Sequence, residues 1–318
     1  MENEYNKPLN TPILFLIFNR IDTTKKVFES IKAVKPSKLY IASDGHRSDK
    51  QGESVIVKNI RDYVLSNIDW SCEVKTLFRE VNLGCASAVG GAIDWFFENE
   101  EKGIILEDDC LPSKSFYHFC SENLDKYKND SRITAITGDN FYKNELTKDS
   151  YFFSRFIFIW GWATWRESWS AHRKIMSRFS EIIETPITTL SINHKIANKR
   201  IIQNALDAEA GVVNTWDYQW ILSNYFNHGL IVTPRVNLVQ NIGFDGDATH
   251  TTNSRSELSV QTSEMELLLK HPMVMIPNNE YDNYLYSKIF LWESFYEKLM
   301  DFRNLPRRII LKLFKIFK

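Results

Sequence analysis

The chain has 318 residues, with 39 lysines and arginines against 40 aspartates and glutamates and a formal net charge of -1 at pH 7, a balance that argues against nucleic acid as a partner. Its 43% apolar and 14% aromatic content is enough for one large α/β domain or a domain with an annex. Cys72, Cys85, Cys110 and Cys120 form no Cys-x-x-Cys pair and suit free thiols in a reducing compartment, while neither a secretory signal nor a run of membrane-span length is visible.

Pro12 to Phe18 is a continuous apolar run and reads as a buried strand, left by Asn19-Arg20-Ile21-Asp22. Asp22 or Thr23 is placed to cap the helix that follows, with Val27, Phe28 and Ile31 on its apolar face. Lys38 to Ser43 is a second strand ending on Asp44-Gly45, Val55 to Leu65 is helical by period, and Glu73 to Phe78 is a third strand. Asn82-Leu83-Gly84 turns into a helix through Ala88, Ile93, Trp95 and Phe96. Ile104-Ile105-Leu106 then reads as a strand that stops on Glu107-Asp108-Asp109. Strands and helices alternate, so a parallel, doubly wound sheet is expected over about the first 110 residues. Beyond Pro112 come a helix over Ser115 to Tyr127, a strand over Arg132 to Thr137 and an aromatic stretch from Tyr151 to Trp169. Helices at Ala197 to Ala210 and Trp216 to Asn227, a strand at Leu230 to Thr233, a Gly-, Asp- and Thr-rich loop at Asn241 to Thr252 and a mostly helical end from Asn278 complete the chain.

Three carboxylates at a strand end repel one another, and a divalent cation relieves that cost. Hard oxygen ligands suit Mg2+ or Mn2+ bound with substrate phosphates, and ligands of open α/β sheets lie beyond the carboxyl ends of the strands. The same residues also suit a solvated acidic turn before the helix near Ser113. Gly161 between Trp160 and Trp162 would let backbone approach a ligand and rings stack on a sugar, or form a packed corner. Asp217, flanked by Trp216 and Tyr218, could serve as a general base or as a carboxylate stabilised at a helix start. The Asn241 to His250 loop could close over a substrate, with His250 adding a metal or phosphate contact.

Six stretches in order resemble nucleotide-sugar-dependent glycosyltransferases of the GT-A fold, nearest to N-acetylglucosaminyltransferase I and related bacterial sugar transferases. They are Ile17-Phe18-Asn19-Arg20, Ser43-Asp44-Gly45, Leu106 to Leu111, Gly161-Trp162, Trp216-Asp217 and Asn241 to His250. The resemblance implies an α/β, Rossmann-like fold with a mainly parallel central sheet flanked by helices. Residues 1–255 would form the transferase domain (1–110 for the donor, 111–255 for the acceptor), and 256–318 a C-terminal helical extension. It also implies roles. Phe18, Arg20, Asp44 and Trp216 would line the donor pocket, with Asp44 near a uracil; Asp108 would face the ribose and Glu107 the transferred sugar. Asp109 would ligate Mn2+ or Mg2+, with His250 as a further metal contact, and Asp217 would be the catalytic base. The implied reaction is inverting transfer from a nucleoside diphosphate sugar, UDP-sugar favoured, to a glycan or lipid-linked acceptor in bacterial surface polysaccharide synthesis. Where the animal enzymes carry a base-contacting histidine, this chain has about Gly91, which leaves the base and sugar open. A sugar nucleotidyltransferase and a non-catalytic carbohydrate-binding scaffold are the alternatives; the first lacks its Gly-rich, basic signature at Asn19 to Thr23.

Arg303 to Lys318 carries six positive charges and no acid. On a helix begun at Pro306, Arg308, Lys312 and Lys315 form one stripe and Ile310, Leu313, Phe314 and Phe317 another. Such a segment lies on an anionic membrane surface or docks on protein. With the family context, the expectation is a cytoplasmic enzyme held peripherally on the inner face of the membrane.

Overall fold

The computed structural model describes residues 8–184, 195–243 and 260–290. Its first part is β1 (Ile13–Ile17), α1 (Ile21–Val34), β2 (Lys38–Ser43), α2 (Glu53–Ser66), β3 (Glu73–Phe78), α3 (Gly84–Asn99) and β4 (Lys102–Glu107). The four strands are parallel in the order β3-β2-β1-β4, as the alternation of elements predicts. Register brings their ends level: Leu16 lies opposite both Ala42 and Glu107, and Ser43 opposite Phe78. Asn19-Arg20, Asp44, Arg79 and Asp108-Asp109 therefore leave the sheet along one edge.

Continuous apolar strands are explained by burial on both faces. Leu14, Leu16, Tyr40, Ala42 and Ile105 pack with α3 residues Ala92, Ile93, Phe96 and Phe97. Their alternates Ile13, Phe15, Ile17, Leu39, Ile41, Ile104 and Leu106 pack with Val27, Phe28 and Ile31 of α1 and Ile60 and Val64 of α2. Helix α1 begins two or three residues earlier than a cap at Asp22 or Thr23 would place it. Arg20 holds the N-cap position, and neither Asp22 nor Thr23 caps it; Thr23 and Thr24 instead donate their hydroxyls back to the Arg20 carbonyl.

The second part is β5 (Cys110–Pro112), α4 (Lys114–Lys126), β6 (Ile133–Thr137), β7 (Tyr151–Ser154), β8 (Trp162–Trp165), α5 (Arg166–Met176) and α6 (Phe179–Glu184). It continues with α7 (Lys195–Glu209), α8 (Asp217–Phe226), β9 (Leu230–Pro234), β10 (Val239–Asn241), α9 (Asn279–Tyr284) and a π-helical turn, Leu285–Phe290. The sheet extends as β4-β8-β6-β9-β7, with β8 antiparallel to both neighbours and β7 antiparallel to β9. The result is an α/β fold with a large, mostly parallel central sheet flanked by helices. A two-stranded antiparallel ribbon pairs β10 with β5 directly after the acids.

Gly161-Trp162 belongs to the core and does not form a sugar platform. Trp162 is fully buried, stacked on Trp216 with ring centroids 5.7 Å apart and within 6.3 Å of Trp169. A Cβ at Gly161 would stand 2.8 Å from Val239 Cγ2. The expected boundary near residue 255 and the tail Arg303 to Lys318 lie outside the described residues. The described residues 260–290 pack on the body through buried Met265, Leu269, Tyr281 and Leu285, and Glu264 accepts the Lys114 and Ser115 N–H groups at the start of α4. No described helix is long and apolar enough to cross a membrane.

Candidate functional site

A cavity of about 340 Å³ opens at the shared strand edge. Helix α3 forms one wall. Cys85, Ala88, Val89 and Ala92, spaced i, i+3, i+4, i+7, put small side chains on one helical face and leave the space open. The opposite wall is made by Phe18, Asn19 and Arg20 after β1, Asp44 and Arg47 after β2, Arg79 after β3 and Glu107, Asp108 and Asp109 at the end of β4. Asn214, Asn241 and Gly243 close the rim.

The acids are held under repulsion. Asp108 is 8% exposed and accepts the Phe18 N–H at 3.0 Å. Burial first, then the neighbouring Asp109 charge, pushes its carboxyl up to about 7. Glu107 is raised well above the usual carboxylate range by burial, then by Asp109, Asp108 and Asp217. Arg20 relieves part of this by donating to Asp109 Oδ2 at 2.7 Å. Burial opposes the Arg20 charge, but the three acids outweigh it and raise the guanidinium. The β5–β10 ribbon then folds the next segment onto the site, with the Ile242 N–H on the Asp109 carbonyl at 2.8 Å. Gly243 lies so close that a Cβ there would be 2.3 Å from Asp109 Oδ2 and 3.0 Å from Arg20 Nη1.

Arg47 is fixed rather than free. Its guanidinium pairs with buried Glu53, which also takes the Asn19 amide at 2.9 Å, and it lies 5.6 Å over the Phe18 ring. Burial alone would raise the Glu53 carboxyl; the Arg47 and Asn19 bonds outweigh it and hold it at about 2. Arg61 clips the ends of β2 and β3 by donating to the Asp44 and Arg79 carbonyls. The Arg79 guanidinium lies over Gly91 of α3, where a Cβ would be 3.1 Å away, and has no hydrogen-bond or ion-pair partner among the described residues.

The structure gathers Phe18, Arg20, Asp44, Glu107, Asp108 and Asp109 around one cavity. Asp44 accepts the Gly45, Leu83 and Gly84 N–H groups at 3.0–3.1 Å, so much of its hydrogen-bonding capacity caps α3. Asp217, the first residue of α8, does not line the cavity, but its charge acts on Glu107 and Cys85, which do. Trp216 is 5% exposed in the aromatic core and does not reach the cavity. His250 lies outside the described residues. Sequence reasoning missed Arg47, Arg79 and Asn214 as site residues. Arg79 was within its reach, because it follows a parallel strand as Arg20 and Asp44 do; Asn214 leaves no such trace.

A hard divalent cation fits this donor set. Carboxyls raised by burial and by mutual repulsion are relieved by positive charge, and Arg20 already occupies that role at Asp109 Oδ2. Among the described residues no cluster of three or more His, Cys, Asp or Glu forms a ready cage. Binding through one or two carboxylates and ligand phosphates is the Mg2+-like mode that needs none.

No protein-family profile matches the sequence, and no curated protein matches it. Solved structures do match. A mannosyltransferase from Pyrobaculum calidifontis, solved with GDP-Man and Mn2+, is similar over 51% of this chain and 46% of its own, at 14% identity and TM-score 0.34. The glycosyltransferase GlyE of Streptococcus pneumoniae is similar over 70% and 45%, at 11% identity and TM-score 0.34. The inositol-1-phosphate CTP transferase from T. maritima is similar over 79% and 95%, at 10% identity and TM-score 0.39. The match spans less than half the length of the two glycosyltransferases. These partial likenesses decide nothing about function, which is argued from the site itself.

Proposed function

We propose that this chain is a metal-dependent, inverting glycosyltransferase that moves a sugar from a nucleoside diphosphate donor to an acceptor hydroxyl. The observation that carries the reading is the Glu107-Asp108-Asp109 run at the end of a parallel strand, facing a cavity with Arg20 on Asp109 and the Asp217 charge acting on Glu107. Phe18 and the fixed Arg47 offer a ring and a guanidinium to the nucleotide. Arg20 and Arg79 add positive charge for a diphosphate. Glu107, whose carboxyl burial and its acidic neighbours push upward, can hydrogen-bond sugar hydroxyls. Asp109 is the metal ligand, and the cation when bound neutralises charge on the leaving diphosphate. Asp217 takes the acceptor proton while the hydroxyl attacks from the opposite face, which inverts the anomeric centre, as in inverting glycosidases. Following the resemblance, the donor is a UDP-sugar and the acceptor a glycan or lipid-linked intermediate of bacterial surface polysaccharide, met at the inner face of the cytoplasmic membrane.

Calorimetry across a panel of nucleotide sugars, with and without Mn2+, tests the binding half of this reading; a scaffold shows no metal-dependent binding. Nucleoside diphosphate release tests the chemistry. In Asp217→Asn, donor affinity is expected to survive while turnover drops by roughly 10²–10⁴-fold. Unchanged turnover removes the base assignment, and pyrophosphate release from a nucleoside triphosphate would instead mark a nucleotidyltransferase.

A further inference from the structure

The turn before α8 is held from three sides. On one side, the Asn214 side chain reaches across to α3. Its Oδ1 accepts the Ala86 N–H at 2.9 Å, and its amide occupies the space above Gly84, where a Cβ would be 2.5 Å from Nδ2. Gly84 has φ +76°, so glycine is required there by backbone conformation as well as by this contact. On another side, Val212 and Val213 donate their N–H groups to the Asp207 carbonyl, tying the turn to α7. On the third, Trp216 is locked into the aromatic core, stacked on Trp162 and 6.2 Å from Trp169. Between these anchors sits Thr215, whose hydroxyl donates to Asp217 Oδ1.

We infer that Thr215 is a positioning residue for the Asp217 carboxylate, with Asn214 the latch that sets this turn against the donor cavity. The inference rests on the proposed role of Asp217 as base. A carboxylate at the start of a helix can rotate about its χ angles; a β-branched donor two residues earlier, stiff at χ1, fixes one oxygen and so orients the plane of the group. Asn214 takes an α3 N–H just beyond those that Asp44 accepts. The wall of the donor cavity and the mount of the base are thus joined through one helix end. Thr215 acts through Asp217 and does not itself line the cavity.

The test is nucleoside diphosphate release, with turnover and donor KM measured separately for Thr215→Val, Thr215→Ser and Asp217→Asn in the full chain, using the nucleotide sugar selected by the panel. Thr215→Val keeps the shape and removes the donor. It is expected to lower turnover about tenfold, the worth of a hydrogen bond to a charged group, with donor KM within about twofold. Thr215→Ser keeps the hydroxyl and is expected to restore most of the turnover. The inference is overturned if Thr215→Val turns over normally, if donor affinity falls as far as turnover, or if Thr215→Ser is as impaired as Thr215→Val. A dead Asp217→Asn beside an unimpaired Thr215→Val removes this inference alone, whereas full turnover in Asp217→Asn removes the base reading and this inference together.

Discussion

Asp108→Asn tests directly whether the acids are held under repulsion. Asparagine keeps an acceptor for the Phe18 N–H and removes the charge. Burial and Asp109 push the Asp108 carboxyl up to about 7, whereas in the unfolded chain it titrates near its ordinary value of about 3.9. Between these values the folded state binds more protons than the unfolded one, so stability falls as pH rises. A difference of about three pH units corresponds to a loss on the order of 4 kcal/mol by pH 7. At the usual entropy of unfolding per residue, that is roughly 6 °C in Tm for a chain of this length. The wild-type curve alone does not isolate the effect, because His172 works the other way. Burial lowers the His172 imidazole to about 3, so its contribution grows with pH until the unfolded histidine loses its proton near pH 6.5. The difference between Asp108→Asn and wild type cancels that background. Removing the Asp108 charge also eases Glu107, which adds with the same sign. In EDTA, the Tm of Asp108→Asn is expected to gain on that of wild type by several degrees from pH 4.5 to 7.5. Saturating Mn2+ is expected to narrow the gap at neutral pH. Parallel curves in EDTA would refute the account of buried, mutually repelling acids.

Asp109→Ala is expected to abolish Mn2+-dependent donor binding in calorimetry while leaving Tm near or above wild type, because one charge leaves a crowded cluster; full activity would sink the ligand assignment. Truncation after Asn304 removes five of the six tail cations and the apolar stripe, and it is expected to stop the protein floating with anionic liposomes at moderate salt. Equal flotation of both forms, or of neither, would show that the tail is no membrane anchor.

The sequence by itself determined the parallel half of the sheet, β3-β2-β1-β4. Apolar runs ending on polar residues, separated by amphipathic helices, leave little but a parallel sheet with its strand ends along one edge, and Arg20, Asp44 and Glu107 to Asp109 meet there. The carboxyl pattern was readable because repulsion among adjacent acids is local along the chain. The second half was less legible. Trp162-Ala163-Thr164-Trp165 is buried on both faces and antiparallel, so it shows neither alternation nor a helical period, and three-residue strands such as Cys110–Pro112 fall below any pattern. Only tertiary structure decided that Trp162 and Trp216 are core while Asp217 acts on Glu107, because adjacent residues in a turn point in different directions once packing fixes them. The Asn19 bond to Glu53, the Asn214 latch on α3 and the approach of Gly243 to Asp109 join segments whose sequences carry no mark of one another. Those pairings arise from long-range closure of the sheet and its helices, a property of the packed chain as a whole.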